Sequence, residues 1–448
     1  MGKRASFGGR LGVLLVAAGS AVGLGNIWRF PCELGQNGGG AFLLIYLVCA
    51  VVIGLPIMLA EFSLGRMGQS NVVGTFRRVS GTNKYRWIGY AGVLCALLIM
   101  GFYGVVCGWT LDYVYQAVAH GFSSMTSEEL SQSFKDFSVQ PVRPVLWMML
   151  FLTINCVVVF LGVKEGIERT SKVLMPLLLL LVIVMCVRSV TLPGGSEGLR
   201  FLFEPDFSKL TPQVVLNAMG QAFFSLSLGM GCMTTYGSYI GKDINLGHSV
   251  LQVTILDTMV SILSAVAIFP VVFAMGINPS SGPELAFITL PNVFNQIPGG
   301  YIWAILFFLL LSIAALTSAI SLLEVITAFV SEELKISRKK SAVYATVLIM
   351  ILGVFASLSL GVWSEYKIFG FSFFEFLDDV TARFVMPLTG LSISWFVAWK
   401  VGRKRLEKEL TNGHTIRAKY LGVFLFLLKY VTPLAIIVVF LNQTIDFF

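Results

Sequence analysis

Long apolar runs follow one another along the chain, separated by short polar segments. Most runs last about 20 residues, the length of helix that crosses the hydrocarbon core of a bilayer. The pattern predicts about eleven membrane-spanning helices, near residues 11–36, 41–64, 88–118, 144–162, 171–191, 213–239, 247–276, 301–330, 341–361, 372–399 and 420–443. Residues 282–299 are too polar and too interrupted to span, so we expect a short re-entrant or capping hairpin there.

Composition leads to the same class of protein. Of the 448 residues, 56% are hydrophobic and only 12% are charged, whereas a soluble domain carries about a quarter charged residues. The chain therefore has too little polar surface to cover a water-soluble globule. The seven cysteines lie mostly in apolar stretches without a C-x-x-C spacing, which is typical of core residues and not of a disulfide or metal framework. We predict an all-α polytopic membrane protein.

The net charge of +8 does not indicate a nucleic-acid partner, because the basic residues lie in short loops between the apolar runs. With the N-terminus inside, 23 of the 32 Lys and Arg residues fall in inside segments, and the positive-inside rule favours that orientation. Eleven spans then place the C-terminus outside. The apolar start lacks an A-x-A-like cleavage site, so we expect the N-terminus to be retained. Short outer loops favour a bacterial cytoplasmic membrane.

Two spans carry helix-breaking segments at corresponding positions. Residues 19–26 (GSAVGLGN) lie in span 1, and residues 224–231 (FSLSLGMG) lie in span 6, five spans later. Each glycine costs about 1 kcal/mol of helix propensity, and unpaired backbone in hydrocarbon costs several kcal/mol. Either segment alone is compatible with close helix packing. A matched pair in two five-helix halves predicts instead a binding site at the middle of the membrane.

Polar side chains are expected at the same depth. Asp257 lies deep in span 7, where an ionisable residue is a functional candidate by default, although a structural bond to a neighbouring helix is an alternative. Thr317 and Ser318 offer adjacent hydroxyls in span 8, but such hydroxyls often bond to their own helix. Tyr103 in span 3 is suited either to packing or to binding an acid. Since His and Cys ligands are lacking, the oxygen atoms of Asn26 and Asp257 favour sodium over a transition metal.

The span 1 motif GSAVGLGNIWRFP (19–31), followed by NGGGAF (37–42), closely resembles the signature of the neurotransmitter:sodium symporter family. The resemblance continues through KEGIER (164–169), GQAFFSLS (220–227) and LTS (316–318), and it covers essentially the whole chain. It implies a LeuT-type fold, a 5+5 inverted repeat with discontinuous helices 1 and 6. Residues 1–191 would form the first repeat, 192–402 the second, and 403–448 a cytoplasmic loop and helix 11. The family usually has twelve spans, and some bacterial members have eleven.

The resemblance implies two sodium sites. The first would use the Ala21 carbonyl, Asn26, Ser225 and Asp257, and the substrate carboxylate would complete it. Substrate and ion would then bind interdependently through direct Coulomb contact. The second site would use three carbonyls and two hydroxyls, from Gly19, Val22, Ala314, Thr317 and Ser318.

The resemblance also implies a substrate site beside the first ion. Tyr103 and the amides around Leu24 and Gly25 would bind the substrate carboxylate, with Ala21 and Ser225 bordering it. The substrate side chain would lie among residues of spans 3, 6 and 8, namely Ile99, Phe224, Ser227, Met230, Ser318 and Leu322, and Phe224 would be the outer lid.

Charged residues match the positions of the family's two gates. Arg29 and Asp378 match the outer gate. Arg4 matches an inner-gate arginine supported by Tyr239, and Glu332 stands in place of the usual aspartate partner. An exposed ion pair of this kind contributes little stability, and its use lies in being breakable.

The expected function is sodium-coupled symport of a neutral hydrophobic or aromatic L-amino acid by alternating access. Family members that carry monoamines have an aspartate where this chain has Gly23, so a ligand with its own carboxylate is favoured. The implied pocket is mostly apolar. Met230 stands where phenylalanine is frequent, and its flexible thioether can adapt to bulky side chains.

Chloride dependence is harder to predict, because two features of the sequence point in opposite directions. Four residues match chloride-ligand positions of the family, namely Tyr46, Gln221, Ser225 and Ser261. Asp257 stands where an asparagine is frequent, and it places a negative charge directly at the expected sodium. We therefore expect chloride independence.

A channel or a non-transporting amino-acid sensor could share this fold. A channel requires a ring of charges or an open polar pore, and a sensor commonly carries a large soluble appendage. The stretch GGSEG (194–198) matches G-x-S-x-G, but it lies in an outside loop after Pro193 and not at a strand-to-helix elbow, so we expect no enzyme.

The expected partners are a small-molecule amino acid, two Na⁺ ions and the lipid bilayer, with the oligomeric state left open.

Overall fold

The computed structural model describes residues 5–122, 125–276 and 285–445. This part of the chain is built of helices with short connections and contains no named β-strand. Its nine long apolar helices, each able to cross a bilayer, are Gly40–Gly68, Arg86–Val118, Arg143–Phe160, Val163–Val190, Leu246–Ala274, Gly300–Glu333, Arg338–Leu358, Phe373–Val401 and Leu421–Gln443. With the two interrupted helices described next, they are numbered as spans 1 to 11 in chain order.

Span 1 is bent. Its halves, Arg10–Ala21 and Gly25–Gln36, meet at 53°. The first half ends because Val22 takes an extended conformation (φ −72°, ψ 104°), which leaves carbonyls of the last turn without intrahelical donors. The break lies in the predicted segment 19–26.

Span 6 is interrupted more widely. Its halves, Pro212–Ser225 and Cys232–Gly237, are each too short to cross a bilayer. Between them Ser227, Gly229 and Gly231 have φ of 52°, 74° and 77°, a left-handed conformation that a helix cannot continue through. Both predicted interruptions are therefore confirmed, and so is the all-α membrane fold.

The interrupted helices lie inside the bundle. Span 1 contacts spans 5, 7 and 8, and the second half of span 6 packs on spans 2 and 8. Gly65 of span 2 permits this approach, because a Cβ there would overlap the Thr234 carbonyl. The two breaks are thus shielded from lipid and open toward each other's backbone and side chains.

Four shorter helices lie outside the spans and were not predicted, namely Val72–Ser80, Ser127–Val139, Gly195–Phe203 and Arg403–Leu410. Span 5 begins at Val163 and not near residue 171, because its first turns carry exposed charges that the apolar pattern does not include. The GGSEG stretch starts the helix Gly195–Phe203 and does not follow a strand. Leu285–Thr289 and Leu290–Gln296 form short helical turns where a hairpin was expected, while residues 282–284 lie outside the described residues.

Candidate functional site

Asn26, at the start of the second half of span 1, joins three helices. Its Nδ2 donates to Asp257 Oδ1 at 2.6 Å, Ser225 Oγ at 3.0 Å and Ser261 Oγ at 2.8 Å. Its Oδ1 accepts from the Gly23 N–H at 2.9 Å. The predicted residues of spans 1, 6 and 7 thus come together at the two breaks.

Asp257 is fully buried. Ser225 Oγ donates to its Oδ2 at 2.8 Å, and among the described residues no lysine or arginine forms an ion pair with it. A buried carboxylate that has hydrogen bonds but no cation is costly. Ala21, the predicted fourth ligand, is the last residue of the first half of span 1, where freed carbonyls are available. The donor set suits a hard monovalent cation.

Two of the four residues at the expected chloride positions contact the Asp257 carboxylate, and the other two donate to backbone carbonyls. Tyr46 OH lies 3.2 Å from Ser225 Oγ and 3.4 Å from Asp257 Oδ2, and Ser261 Oγ donates to the Asp257 carbonyl at 3.1 Å. Gln221 Nε2 donates to the Gly25 carbonyl at 3.0 Å. The hydroxyls of Tyr46 and Ser225 can therefore stabilise the Asp257 carboxylate as an anion.

A second cluster of oxygen atoms lies where span 8 crosses the break of span 1. Thr317 Oγ1 lies 3.2 Å from the Val22 carbonyl and 3.0 Å from the Ala314 carbonyl. Gly19 packs against Thr317, since a Cβ there would lie 3.5 Å from the Thr317 Cβ. Ser318 Oγ donates to the Ser20 carbonyl at 3.2 Å and not to another predicted ligand. The structure thus brings Gly19, Val22, Ala314 and Thr317 together, with Ser318 one step away.

The predicted substrate residues lie between these clusters and a cavity of about 230 Å³. We call it the outer cavity. Its lining includes six of the predicted substrate and gate residues, namely Leu24, Gly25, Arg29, Tyr103, Phe224 and Asp378. The Tyr103 hydroxyl lies within hydrogen-bonding reach of the Leu24 backbone and the Ser318 side chain. The Phe224 ring covers Gly25, where a Cβ would approach it to 3.1 Å.

The remaining substrate residues are deeper. Ile99, Met230 and Leu322 are at most 5% exposed, so their apolar side chains lie inside the bundle. Ser227 Oγ donates to the Ser20 carbonyl at 2.9 Å, so this hydroxyl ties the two breaks together. Ser227 and Ser318 both donate to the Ser20 carbonyl and so link spans 6 and 8 to span 1 beside its break.

The predicted outer-gate residues lie at the outer cavity. Arg29 ion-pairs with Glu33 at 3.9 Å, and its guanidinium lies 4.5 Å from the centre of the Phe224 ring. Asp378 lines the same cavity. Arg29 and Asp378 thus line one cavity and, among the described residues, form no ion pair with each other, while Arg29 lies beside the Phe224 ring.

At the opposite end, Arg4 lies outside the described residues. Glu332 accepts from Ser70 Oγ at 2.8 Å and from the Asn71 N–H at 2.9 Å. Tyr239 is in contact with Phe7, whose N–H donates to its carbonyl at 3.1 Å. Glu332 and Tyr239 thus lie at the same end of the bundle as the start of span 1.

Sequence reasoning missed a buried ion pair at this end. Glu324 of span 8 is fully buried and pairs with Arg338 of span 9 at 2.5 Å, and it accepts from Tyr239 OH at 2.5 Å. The signal was an isolated glutamate inside an apolar run, the criterion that singled out Asp257.

The same criterion would have found Glu61 in span 2. Its carboxylate accepts from the Gly229 N–H at 2.8 Å, the Thr234 N–H at 3.3 Å and Thr234 Oγ1 at 3.1 Å. It therefore satisfies backbone donors that the break of span 6 releases. Unlike Asp257, it supports the interruption and does not face the other break.

Comparison with known proteins agrees with this geometry. The family model described as sodium:neurotransmitter symporter family matches residues 4–134 and 120–448. The uncharacterized sodium-dependent transporter YhdH of Bacillus subtilis is 38% identical, over 98% of each chain. An uncharacterized sodium-dependent transporter of Haemophilus influenzae is 37% identical, also over 98% of each.

Among solved structures, the crystal structure of MhsT in complex with L-phenylalanine matches with a TM-score of 0.91 and 42% identity. The match covers 98% of this chain and 100% of that one. Such coverage extends over both interrupted helices and every span between them. The chain therefore belongs to the sodium:neurotransmitter symporter family and is a multi-pass, sodium-dependent membrane transporter, not an enzyme.

Proposed function

We propose that this transporter imports a neutral hydrophobic or aromatic L-amino acid by alternating access, driven by sodium bound at two sites and without a need for chloride. The observation that carries the proposal is the cluster of Asn26, Ser225 and Asp257 between the two interrupted helices. It combines a buried carboxylate that lacks a cation with neutral oxygen ligands. The second site would use the oxygen atoms around Thr317.

The limited space around Gly23 supports an amino acid, and not a monoamine, as the substrate. A Cβ on Gly23 would overlap Ser318 Oγ and lie 3.5 Å from the Tyr103 hydroxyl, so no acidic side chain fits there to pair with an amine. Tyr103 and the start of the second half of span 1, with its N–H groups, would instead bind a carboxylate. Buried apolar residues below Phe224 suit a large apolar side chain. The MhsT structure holds L-phenylalanine, and we extend that class of ligand to this chain.

The position of Asp257 supports chloride independence. Hydroxyls of Tyr46 and Ser225 lie within 3.4 Å of its Oδ2, so a fixed protein charge already stands among the donors that would otherwise bind an anion. A chloride ion among these same donors would be repelled by the carboxylate.

Arg29 and Asp378 both line the outer cavity without an ion pair between them among the described residues, and this arrangement supports alternating access. Closing this cavity would bring the two charges together above Phe224, while the contacts of Glu332, Tyr239 and Glu324 would open at the other end. The distribution of basic residues supports an inside N-terminus and an outside C-terminus in a cytoplasmic membrane.

Uptake into proteoliposomes tests the proposal. We expect accumulation of radiolabelled L-phenylalanine only with an inward sodium gradient, competition by tryptophan, tyrosine and leucine, and no loss when gluconate replaces chloride. A strong preference for glycine or alanine would refute the substrate class. Strict chloride dependence would refute the role given to Asp257, and uptake without sodium would refute the coupling.

A further inference from the structure

A cavity of about 380 Å³ lies at the end of the molecule predicted to be cytoplasmic, and its lining shares no residue with the predicted substrate site. We call it the basic cavity. Its lining comes from the end of span 2 and the helix after it, the segment after span 6, and the segment after span 10. The charged residues in this lining are Arg66, Arg78, Lys242, Arg405, Lys408 and Glu409. We propose that the basic cavity binds a phosphate-bearing anion.

Arg66 fixes the walls of the basic cavity. It is 1% exposed and forms an ion pair with Glu409. Its Nη1 donates to the Ile244 carbonyl at 2.6 Å, and its Nη2 donates to Asn412 Oδ1 at 3.0 Å. The buried Arg66 guanidinium thus joins the three segments. It also pairs with Glu409, the carboxylate in the lining.

Two further arginines are held in place by neutral groups. Arg78 Nη1 donates to the Gln69 carbonyl at 2.7 Å and the Gly68 carbonyl at 3.2 Å. Arg405 Nη1 donates to the Val79 carbonyl at 2.9 Å. These carbonyls lie at helix C-termini, where cations are favoured. The bonds orient both guanidinium groups, and the carbonyl that Arg405 contacts does not neutralise its charge.

The two lysines of the basic cavity come from different segments. Lys242 follows span 6 and Lys408 follows span 10, and within the described ranges neither has a carboxylate within ion-pair distance. With Glu409 engaged by Arg66, the described residues show no ion-pair partner for Lys242, Arg405 or Lys408, and these three side chains give the lining a net positive charge. Basic residues of membrane loops are ordinarily spread over a solvated face. Here Arg78, Lys242, Arg405 and Lys408 are exposed as well, but they surround one concave site whose segments Arg66 joins.

This chemistry fits a phosphate group better than a single carboxylate. Arginine forks and lysine ammonium groups together match the several oxygen atoms and the charge of a phosphate. The source is either the headgroup of an anionic phospholipid in the adjacent leaflet or a soluble phosphate. In both cases the anion would join Lys242 to Lys408 and stabilise the contact between the segments that carry them.

Thermal unfolding of the purified full-length protein tests the site, because an anion bound to the folded state raises the unfolding temperature. One probe is inorganic phosphate, compared with chloride at equal sodium concentration and ionic strength. The other is phosphatidylglycerol, compared with phosphatidylcholine in the same detergent. The test variant is Lys242→Gln with Lys408→Gln, and the matched control is Lys335→Gln with Lys340→Gln, two exposed lysines of another loop at the same end.

For the probe that stabilises the unaltered protein, we expect the affinity to fall about 30-fold in the test variant, because two lysines near the membrane surface are lost. The affinity of the control variant should be unchanged. Stabilisation by phosphatidylglycerol alone would assign a lipid headgroup, and stabilisation by inorganic phosphate as well would assign a free phosphate. Stabilisation by neither probe, or an equal loss in the control variant, would overturn the proposal. If the double variant does not fold, each single lysine variant should lose about five- to sixfold.

Discussion

Asp257 and Glu61 are both buried carboxylates in apolar helices, yet their surroundings give them different roles. Glu61 accepts from backbone N–H groups that the break of span 6 has released. Asp257 accepts from side chains, the amide of Asn26 and the hydroxyl of Ser225. Two of the three groups that donate to Glu61 are backbone N–H groups, which cannot turn an oxygen atom toward an ion, whereas the donors to Asp257 are side chains that also carry oxygen atoms. This difference favours Asp257 over Glu61 as the proposed ion ligand.

Adding a single Cβ atom at Gly23 tests whether the space beside Ser318 belongs to the substrate site. We expect Gly23→Ala to lower amino-acid uptake at least tenfold, because the added Cβ would overlap Ser318 Oγ and overpacking of this kind costs about 1–3 kcal/mol. Gly422→Ala is the matched control, since a Cβ there meets nothing within 4 Å. Initial rates of radiolabelled phenylalanine uptake measure both variants. Equal rates for the two would show that the space beside Ser318 is not part of the site.

Helices 8 and 9 are tied together by the pair of Glu324 and Arg338. We expect Arg338→Gln to lower the free energy of unfolding by about 3 kcal/mol, because it leaves the buried Glu324 carboxylate without its cation. Arg169→Gln, in an exposed pair with Glu165, should change it by less than about 0.5 kcal/mol. Chemical denaturation in detergent measures both. Comparable losses would contradict a special role for the buried pair.

The apolar pattern predicted the eleven spans and, through residues 19–26 and 224–231, the two interruptions. It could do so because burial in a bilayer requires long uniform runs, and any break in them is conspicuous. The amphipathic helices Val72–Ser80 and Arg403–Leu410 were not predicted, because short polar helices leave no such run. The basic cavity was also beyond reach, since it joins segments more than 300 residues apart through Arg66 and Glu409. Glu61 and Glu324 could have been found, because each is a lone acid in an apolar run.

Orientation in the membrane is a property of the whole molecule that labelling can test. We expect a cysteine at Glu128→Cys to react with a membrane-impermeant maleimide in intact cells. A cysteine at Lys404→Cys should react only after the membrane is opened, because the positive-inside rule places its loop in the cytoplasm. The seven native cysteines are buried or half-buried, which keeps the background low. The reverse labelling pattern would invert the proposed topology.

The central claim is that the two interrupted helices bind sodium and an amino acid together, with Asp257 supplying the fixed negative charge. Equilibrium binding of radiolabelled L-phenylalanine to the purified transporter, as a function of sodium and in chloride-free buffer, tests it most directly. We expect saturable binding that requires sodium and an apparent sodium affinity at least tenfold weaker in Asp257→Asn, with Asp243→Asn, an exposed aspartate, unchanged. Binding that persists without sodium, or that is the same in Asp257→Asn as in the unaltered protein, would contradict the account.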